Sequence, residues 1–279
     1  MKGQIVHLRD QGPRNDPLPI VLIHGTSASL HTWEGWVRAL RTQRRVITFD
    51  LPGFGLTGPF SGPPTGQYTP DQYHGDQYAR FVLDLLDKLQ VQRAVLGGNS
   101  LGGEVAWRTA AMAPQRVASL VLVDAAGPAF TPIDVPLAFR FARLPVINRV
   151  GDWFLPRALV AQSLASVYGH PERITPELVD RYYELTLREG NRRALALRMQ
   201  EQVMGDHAER IPRLKLPTLI LWGGRDRLIP PEVGRQFARQ IAGSQLVVFD
   251  DLGHVPQEED PATSVKPVQA FLGLRAGGG

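Results

Sequence analysis

The chain has no cysteine among its 279 residues. Disulfides and thiol catalysis are therefore excluded, although the redox compartment cannot be inferred from this absence. A chain of this length buries roughly three quarters of its unfolded surface. That burial is enough for one large core with an inserted subdomain, so we expect stability to require neither a disulfide nor a metal.

Long hydrophobic runs are also missing. No apolar run approaches the roughly 20 residues that a membrane span requires, and residues 1–10 lack the apolar region of a signal peptide. We therefore expect no membrane span, and a cytoplasmic location for a protein that begins at Met1. A cell-envelope or secreted location is the expectation if the natural start of the protein lies upstream.

The charge is not concentrated in one region of the chain. A net charge of +4 and a sequence pI near 9.6 would by themselves suggest a nucleic-acid partner. However, the arginines are scattered and interleaved with acidic residues, and no recognisable nucleic-acid-binding motif accompanies them. We therefore expect no nucleic-acid partner.

Short apolar runs that alternate with helical patterns dominate the sequence. Continuous runs of this kind are typical of buried parallel strands, and their alternation with helices predicts an α/β fold with a doubly wound, mostly parallel sheet. The predicted strands are residues 5–8, 20–23, 46–49, 94–96, 120–123, 219–222 and 246–249. The predicted helices between or after them include residues 72–89, 233–241 and 262–272.

The alternation stops between about residues 128 and 212. Four proline-punctuated helical patterns replace it there, at residues 135–141, 159–168, 176–188 and 192–204. We interpret residues 128–212 as a helical cap inserted into a core that consists of residues 1–127 and 213–279.

Ser100 lies in the hexapeptide GNSLGG at residues 98–103, directly after an apolar run and directly before a helix-like stretch. A serine in this setting is typical of a nucleophile elbow, a tight strand-to-helix turn that exposes the hydroxyl group. Glycine is needed at the flanking positions because a Cβ atom there would collide with the neighbouring strand and helix.

Two candidate partners for this serine follow in the order acid, then histidine. Asp226 comes after the run at residues 218–222, and His254 comes after the run at residues 245–249. Loops at the carboxyl ends of strands in an open α/β sheet converge at one crevice even when they are far apart in sequence. The order Ser, Asp, His at such loops predicts a catalytic triad.

A loop that could form an oxyanion hole is also present. The segment HGTSAS at residues 24–29 follows the strand-like run at residues 20–23. The expected donors are the backbone N–H groups of Thr26 and Leu101, because rigidly held main-chain donors need no reorganisation when negative charge develops.

Taken together and in order, these motifs resemble the α/β-hydrolase superfamily, in its branch of small esterase-like enzymes with a helical cap. The resemblance covers nearly the whole chain. The matching segments are HGTSAS at 24–29, RVITFDLPGFG at 45–55, GNSLGG at 98–103, GGRD at 223–226 and LGHVPQEEDP at 252–261. One departure lies at the front, where family members usually have a further strand before the segment that matches residues 3–8.

The resemblance implies ester hydrolysis without a cofactor or metal, with Ser100 as nucleophile, His254 as base and Asp226 as the acid that orients it. Some superfamily members supply the acid from the position of Asp124, but GGRD matches the commoner arrangement. The cap aromatic residues Trp153, Phe154 and Tyr168 are candidates for the substrate pocket. The expected partner is a small-molecule ester with an apolar acyl or aromatic group.

Other activities on the same fold remain open. A hydrolase of carbon–carbon bonds in ring-cleavage products shares the GNS elbow and the triad. Such enzymes typically carry a glycine-rich oxyanion loop and an aromatic residue after the histidine, and HGTSAS and Val255 depart from both. Perhydrolase or acyltransferase activity would use the same residues, whereas a non-enzymatic binding protein would tolerate loss of the triad. The sequence does not indicate the oligomeric state.

Overall fold

A seven-stranded sheet forms the centre of the computed structural model, which describes residues 3–61, 71–144 and 153–275. The strands are β1 Leu8–Gln11, β2 Ile20–Ile23, β3 Val46–Phe49, β4 Ala94–Asn99, β5 Val117–Val123, β6 Thr218–Gly223 and β7 Gln245–Phe249. Their order is β1-β3-β2-β4-β5-β6-β7, with β1 antiparallel to β3 and the other neighbours parallel. The predicted α/β fold with a mostly parallel sheet is confirmed.

The interior strands are buried because helices cover both faces of the sheet. All residues of β2, β3, β4 and β6 are buried. This two-sided burial explains why these strands appear in the sequence as continuous apolar runs.

The first predicted strand, at residues 5–8, is displaced. The observed β1 has the sequence LRDQ, is only partly buried, and pairs Leu8 with Phe49 and Gln11 with Val46. Pairing with the neighbouring strand sets its position, and an apolar run does not reveal an edge strand of this composition.

Helices flank the sheet and also connect β5 to β6. They are α1 Glu34–Leu40, α2 Gly75–Lys88, α3 Leu101–Met112, α4 Leu137–Ala142, α5 Arg157–Ala165, α6 Pro176–Leu187, α7 Asn191–Glu201, α8 Pro231–Gln240, α9 Pro256–Glu259, α10 Pro261–Ser264 and α11 Lys266–Phe271. The helix predicted at 262–272 is split into α10 and α11, with a proline at the second position of α11. In the described residues, no helix is both long and apolar enough to cross a membrane.

Four of these helices, α4 to α7, lie between β5 and β6, and we call them the cap helices. They contact one another, α5 with α6 and α4 with both α5 and α7. Part of this layer forms a hydrophobic cluster of its own, into which Val255 from the loop after β7 also packs. This contact brings the cap helices to the edge of the sheet where β7 ends, and it supports our proposal that residues 128–212 form the cap.

Candidate active site

Ser100 occupies the turn between β4 and α3, with backbone angles φ 55° and ψ −116°. A positive φ is costly for a non-glycine residue, and such strain concentrates at functional sites. A Cβ atom at Gly98 would overlap the carbonyl oxygen of Gly102, and one at Gly102 would overlap that of Ile23. Strand and helix therefore approach so closely that both flanking positions require glycine.

His254 and Asp226 are paired below the cavity. Nδ1 of His254 lies 2.6 Å from Oδ2 of Asp226, and both side chains are buried. The other carboxylate oxygen, Oδ1, accepts the backbone N–H groups of Leu228 at 2.8 Å and Ile229 at 3.0 Å. Because an ionised carboxylate only accepts, Nδ1 carries the imidazole proton and leaves Nε2 as an acceptor. Ser100 and His254 line the same cavity.

Asp124 lies beside this pair. Its Oδ1 accepts the backbone N–H of Gly223 at 2.8 Å, and its carboxyl group lies within 4.8 Å of the ligand atoms of both Asp226 and His254. Complete burial, together with the negative charge of Asp226, raises the pKa of Asp124 well above its ordinary value. The neutral acid is thus favoured at Asp124, and it is Asp226 that is hydrogen-bonded to the histidine.

The sequence interpretation gave no role to Asn99, the residue before Ser100. Its Nδ2 donates to the carbonyl oxygens of Val123 at 3.2 Å and His254 at 2.9 Å. It therefore ties the serine turn to the histidine loop. In the sequence, only its position inside the GNSLGG motif pointed to Asn99 as a functional residue.

A second overlooked residue is Glu259, five residues after His254. Its carboxylate accepts three backbone N–H groups, those of Gly253 at 2.8 Å, Gly169 at 3.0 Å and His170 at 2.8 Å. The N–H of His254 donates in turn to the carbonyl of Val167 at 2.7 Å. Glu259 thus joins the histidine loop to the segment after α5. Its only signal was membership in the LGHVPQEEDP motif.

Thr26 lies in the loop after β2, and Leu101 directly follows Ser100 in the chain. Thr26 lines the cavity with Ser100. Leu101 is the first residue of α3, where backbone N–H groups have no partner within the helix. A Cβ at Gly25 would lie 3.0 Å from Oδ1 of Asn99, so the loop after β2 passes close to the serine turn.

His24 holds this loop in place. Its Nε2 accepts the N–H of Leu51 at 2.8 Å, and its Nδ1 donates to the carbonyl of Gly25 at 2.7 Å. Complete burial lowers the pKa of His24, which favours the neutral imidazole that these two hydrogen bonds require.

The cavity above Ser100 has a volume of about 320 Å³ and is lined mainly by apolar side chains from the cap helices and the segments beside them. Of the three predicted pocket residues, Phe154 lines it. Trp153 is 90% exposed and Tyr168 packs in the hydrophobic cluster of the cap. Neither is among the described lining residues, because Trp153 faces solvent and Tyr168 faces the interior of the cap.

Two clusters in the described residues have metal-ligand side chains, Asp124 with Asp226 and His254, and His74 with Asp206 and His207. In the second, Oδ2 of Asp206 already accepts from Nε2 of His74 at 2.8 Å and from the Arg108 guanidinium at 2.9 Å. Both clusters are therefore organised as ion pairs and hydrogen bonds, and a cation at the second would lie beside Arg108.

Comparison with known proteins identifies relatives over most of the chain. A model of the alpha/beta hydrolase fold family matches residues 19–261. A 2-hydroxy-6-oxo-2,4-heptadienoate hydrolase from Pseudomonas putida is 30% identical over 276 residues, which cover 97% of this chain and 93% of the relative. The dihydrolipoyllysine-residue acetyltransferase component of the acetoin cleaving system from Pseudomonas putida is 32% identical over 91% of this chain, which spans 63% of that relative.

A solved structure is also similar to this chain over most of its length. A thermophilic esterase from Thermogutta terrifontis superimposes with a TM-score of 0.76 at 29% sequence identity, covering 96% of this chain and 92% of the esterase.

Proposed function

Because the chain belongs to the alpha/beta hydrolase fold family, we propose that it is a serine hydrolase that cleaves carboxylic esters through an acyl-enzyme. The observation that carries the proposal is the 2.6 Å contact between His254 and Asp226, in a cavity that Ser100 also lines. An orienting carboxylate, an imidazole and a hydroxyl that the substrate can reach are the three groups that acyl transfer needs.

In the proposed mechanism, Nε2 of His254 takes the hydroxyl proton as Oγ of Ser100 attacks the carbonyl carbon. The backbone N–H groups of Thr26 and Leu101 stabilise the tetrahedral oxyanion. His254 then gives the proton to the leaving alcohol, and the same imidazole activates the water that releases the acid. Asp226 fixes the imidazole tautomer and stabilises its cation throughout.

A serine at this turn argues against two other activities of the fold. Displacement at an alkyl carbon, as in haloalkane dehalogenation or epoxide opening, requires an aspartate nucleophile because the resulting ester can be hydrolysed by water. A serine would leave an inert ether. An acyl group, in contrast, leaves an ester on Ser100 that water cleaves.

Carbon–carbon bond hydrolysis is the second candidate, supported by the 30% identity to the heptadienoate hydrolase. The HGTSAS loop and Val255 after His254 favour ester hydrolysis instead. Transfer of the acyl group to peroxide or an alcohol would use the same acyl-enzyme. Turnover of a ring-cleavage diketone, and product analysis with added alcohol or peroxide, discriminate among these activities.

The test is hydrolysis of short p-nitrophenyl esters together with covalent labelling by a fluorophosphonate. We expect turnover and a single label on Ser100. Ser100→Ala removes the nucleophile and should reduce kcat by about 10⁶-fold, as in other serine hydrolases. Full turnover by Ser100→Ala would show that the mechanism is wrong.

A further inference from the structure

Two cavities of unequal size meet at Ser100. The large cavity has a volume of about 320 Å³ and the small one about 40 Å³. Thr26, Ser100, Phe139 and Leu228 line both. A carbonyl group bound at Ser100 therefore has space for one substituent in each cavity, and only the large cavity has space for a bulky one.

The walls of the two cavities differ in chemistry as well as size. Of the described residues, His254 lines the large cavity and not the small one, whereas Leu101 lines the small cavity and not the large one. The small cavity also borders Glu104 and Arg198, whose side chains form an ion pair at 2.7 Å. The large cavity is lined chiefly by aliphatic and phenyl groups, among them Leu159 and Leu164.

The position of His254 determines which part of an ester enters which cavity. In the tetrahedral intermediate the reacting carbon carries Oγ of Ser100, the oxyanion, the leaving alkoxy oxygen and the acyl substituent. The imidazole must protonate the alkoxy oxygen as the bond from carbon to that oxygen breaks. The alcohol part therefore lies on the side of His254, in the large cavity, and the acyl substituent is directed to the opposite side.

We propose that the enzyme is selective for short-chain acyl esters of bulky apolar alcohols, with the alcohol in the large cavity and an acetyl or propionyl group in the small one. This proposal rests on the ester hydrolysis proposed above. At about 40 Å³ against about 320 Å³, the small cavity has about one eighth of the volume of the large one, so it takes the smaller of the two substituents.

The reaction consumes one water and one ester. The bond between the acyl carbon and the alkoxy oxygen breaks, and the alcohol leaves with the proton from His254. Oγ of Ser100 first takes the place of the alkoxy oxygen on the acyl carbon. The water oxygen then forms a bond to that carbon as the bond from the carbon to Oγ breaks, and His254 passes a water proton to Oγ. The products are a short carboxylic acid and an apolar alcohol.

A pair of isomeric esters tests the orientation directly. 2-Phenylethyl acetate and methyl 3-phenylpropanoate have the same atoms and the same chain, with the ester group reversed. We expect kcat/KM for the acetate to exceed that for the methyl ester by at least tenfold. Equal values or a preference for the methyl ester would overturn the proposal.

Cleavage of p-nitrophenyl acetate tests ester hydrolysis independently of the orientation of the substrate. If the enzyme cleaves p-nitrophenyl acetate but prefers methyl 3-phenylpropanoate, the proposed placement of acyl group and alcohol is wrong, whereas ester hydrolysis still holds. If neither isomer nor p-nitrophenyl acetate is cleaved and Ser100 stays unlabelled, ester hydrolysis itself is wrong, and the orientation falls with it.

A matched pair of variants locates the acyl site. Met204 lines the small cavity and Leu159 lines the large one, and both are half-buried. Met204→Ala should raise the ratio of kcat/KM for 2-phenylethyl butanoate over the acetate by at least fivefold. Leu159→Ala should change that ratio by less than twofold. The opposite pattern would assign the acyl group to the large cavity and overturn the proposal.

Discussion

Main-chain hydrogen bonds fix the loops below the cavity, whereas side-chain packing fixes the cap helices above it. Below, Asp226 accepts two backbone N–H groups, and Glu259 accepts that of Gly253 together with two from the segment after α5, to which it ties the histidine loop. Above, the cap helices meet through side chains such as Val160, Leu164 and Leu178. The loops therefore hold reacting groups in defined positions, and the cap supplies an apolar surface of defined size. Changes below the cavity should reduce kcat, and changes above it should alter KM.

The largest effect that tests this comparison is expected for Asp226→Asn. An amide at this position can still contact Nδ1 of His254, but it favours the wrong imidazole tautomer and carries no charge to stabilise the cation. We expect kcat to fall by about 10⁴-fold with a small change in KM. Steady-state kinetics with p-nitrophenyl acetate measure both constants.

Asp251→Asn is the matched control, because Asp251 is an exposed aspartate in the loop after β7 that pairs with Arg225. It should change kcat by less than twofold. If Asp226→Asn mainly raised KM, the loops would act in substrate binding, and the division of roles between the two regions would be wrong.

The next prediction concerns Asp124, which lies in the same region but has a different role. Asp124→Asn keeps a neutral side chain that can accept from the Gly223 N–H and donate toward Asp226. We expect kcat to fall by less than tenfold. A loss equal to that of Asp226→Asn would identify Asp124 as the acid that serves His254.

The difference in stability between Asp124→Asn and the wild-type protein should depend on pH. Because the pKa of Asp124 is raised in the folded protein, the folded state retains a proton that the unfolded chain loses above about pH 3.8. The wild-type protein therefore loses stability as pH rises from that value up to the raised pKa of folded Asp124, and Asp124→Asn does not share this loss. The difference in Tm between variant and wild type should grow from pH 5 to pH 9. Parallel curves of Tm against pH would contradict a protonated Asp124.

The contrast between the two regions also explains how much the sequence could predict. Ser100, Asp226 and His254 each follow an apolar run, and the carboxyl ends of parallel strands lie at one edge of the sheet. Position in the chain therefore predicts position in space for these residues. The same loops also depend on hydrogen bonds from Asn99 and Glu259. Both residues lie inside recognised motifs, but the motifs do not reveal which groups these side chains contact, because that depends on distances of about 3 Å in the folded chain.

The cap was predictable only as a set of helices. The patterns at residues 159–168 and 176–188 correspond to α5 and α6. A cap helix has apolar neighbours on two sides, the cavity and the interior of the cap, so helical periodicity does not say which side a given residue faces. Phe154 and Tyr168 are both aromatic, yet Phe154 lines the cavity and Tyr168 packs inside the cap.

The smallest effect that we predict is a change in KM on substitution of Phe154, and its neighbour Trp153 provides the control. Phe154 lines the cavity although it is 67% exposed, whereas Trp153 is 90% exposed and is not among the described lining residues. Phe154→Ala removes apolar surface that a bulky alcohol would cover, at a cost of about 1 kcal/mol, so KM for 2-phenylethyl acetate should rise about fivefold with kcat unchanged. Trp153→Ala removes a larger ring, but this ring does not line the cavity, so KM should stay within twofold of the wild-type value. If Trp153→Ala raised KM as much as Phe154→Ala, the segment before α5 would close over bound substrate, and the cap would take part in positioning as the loops do.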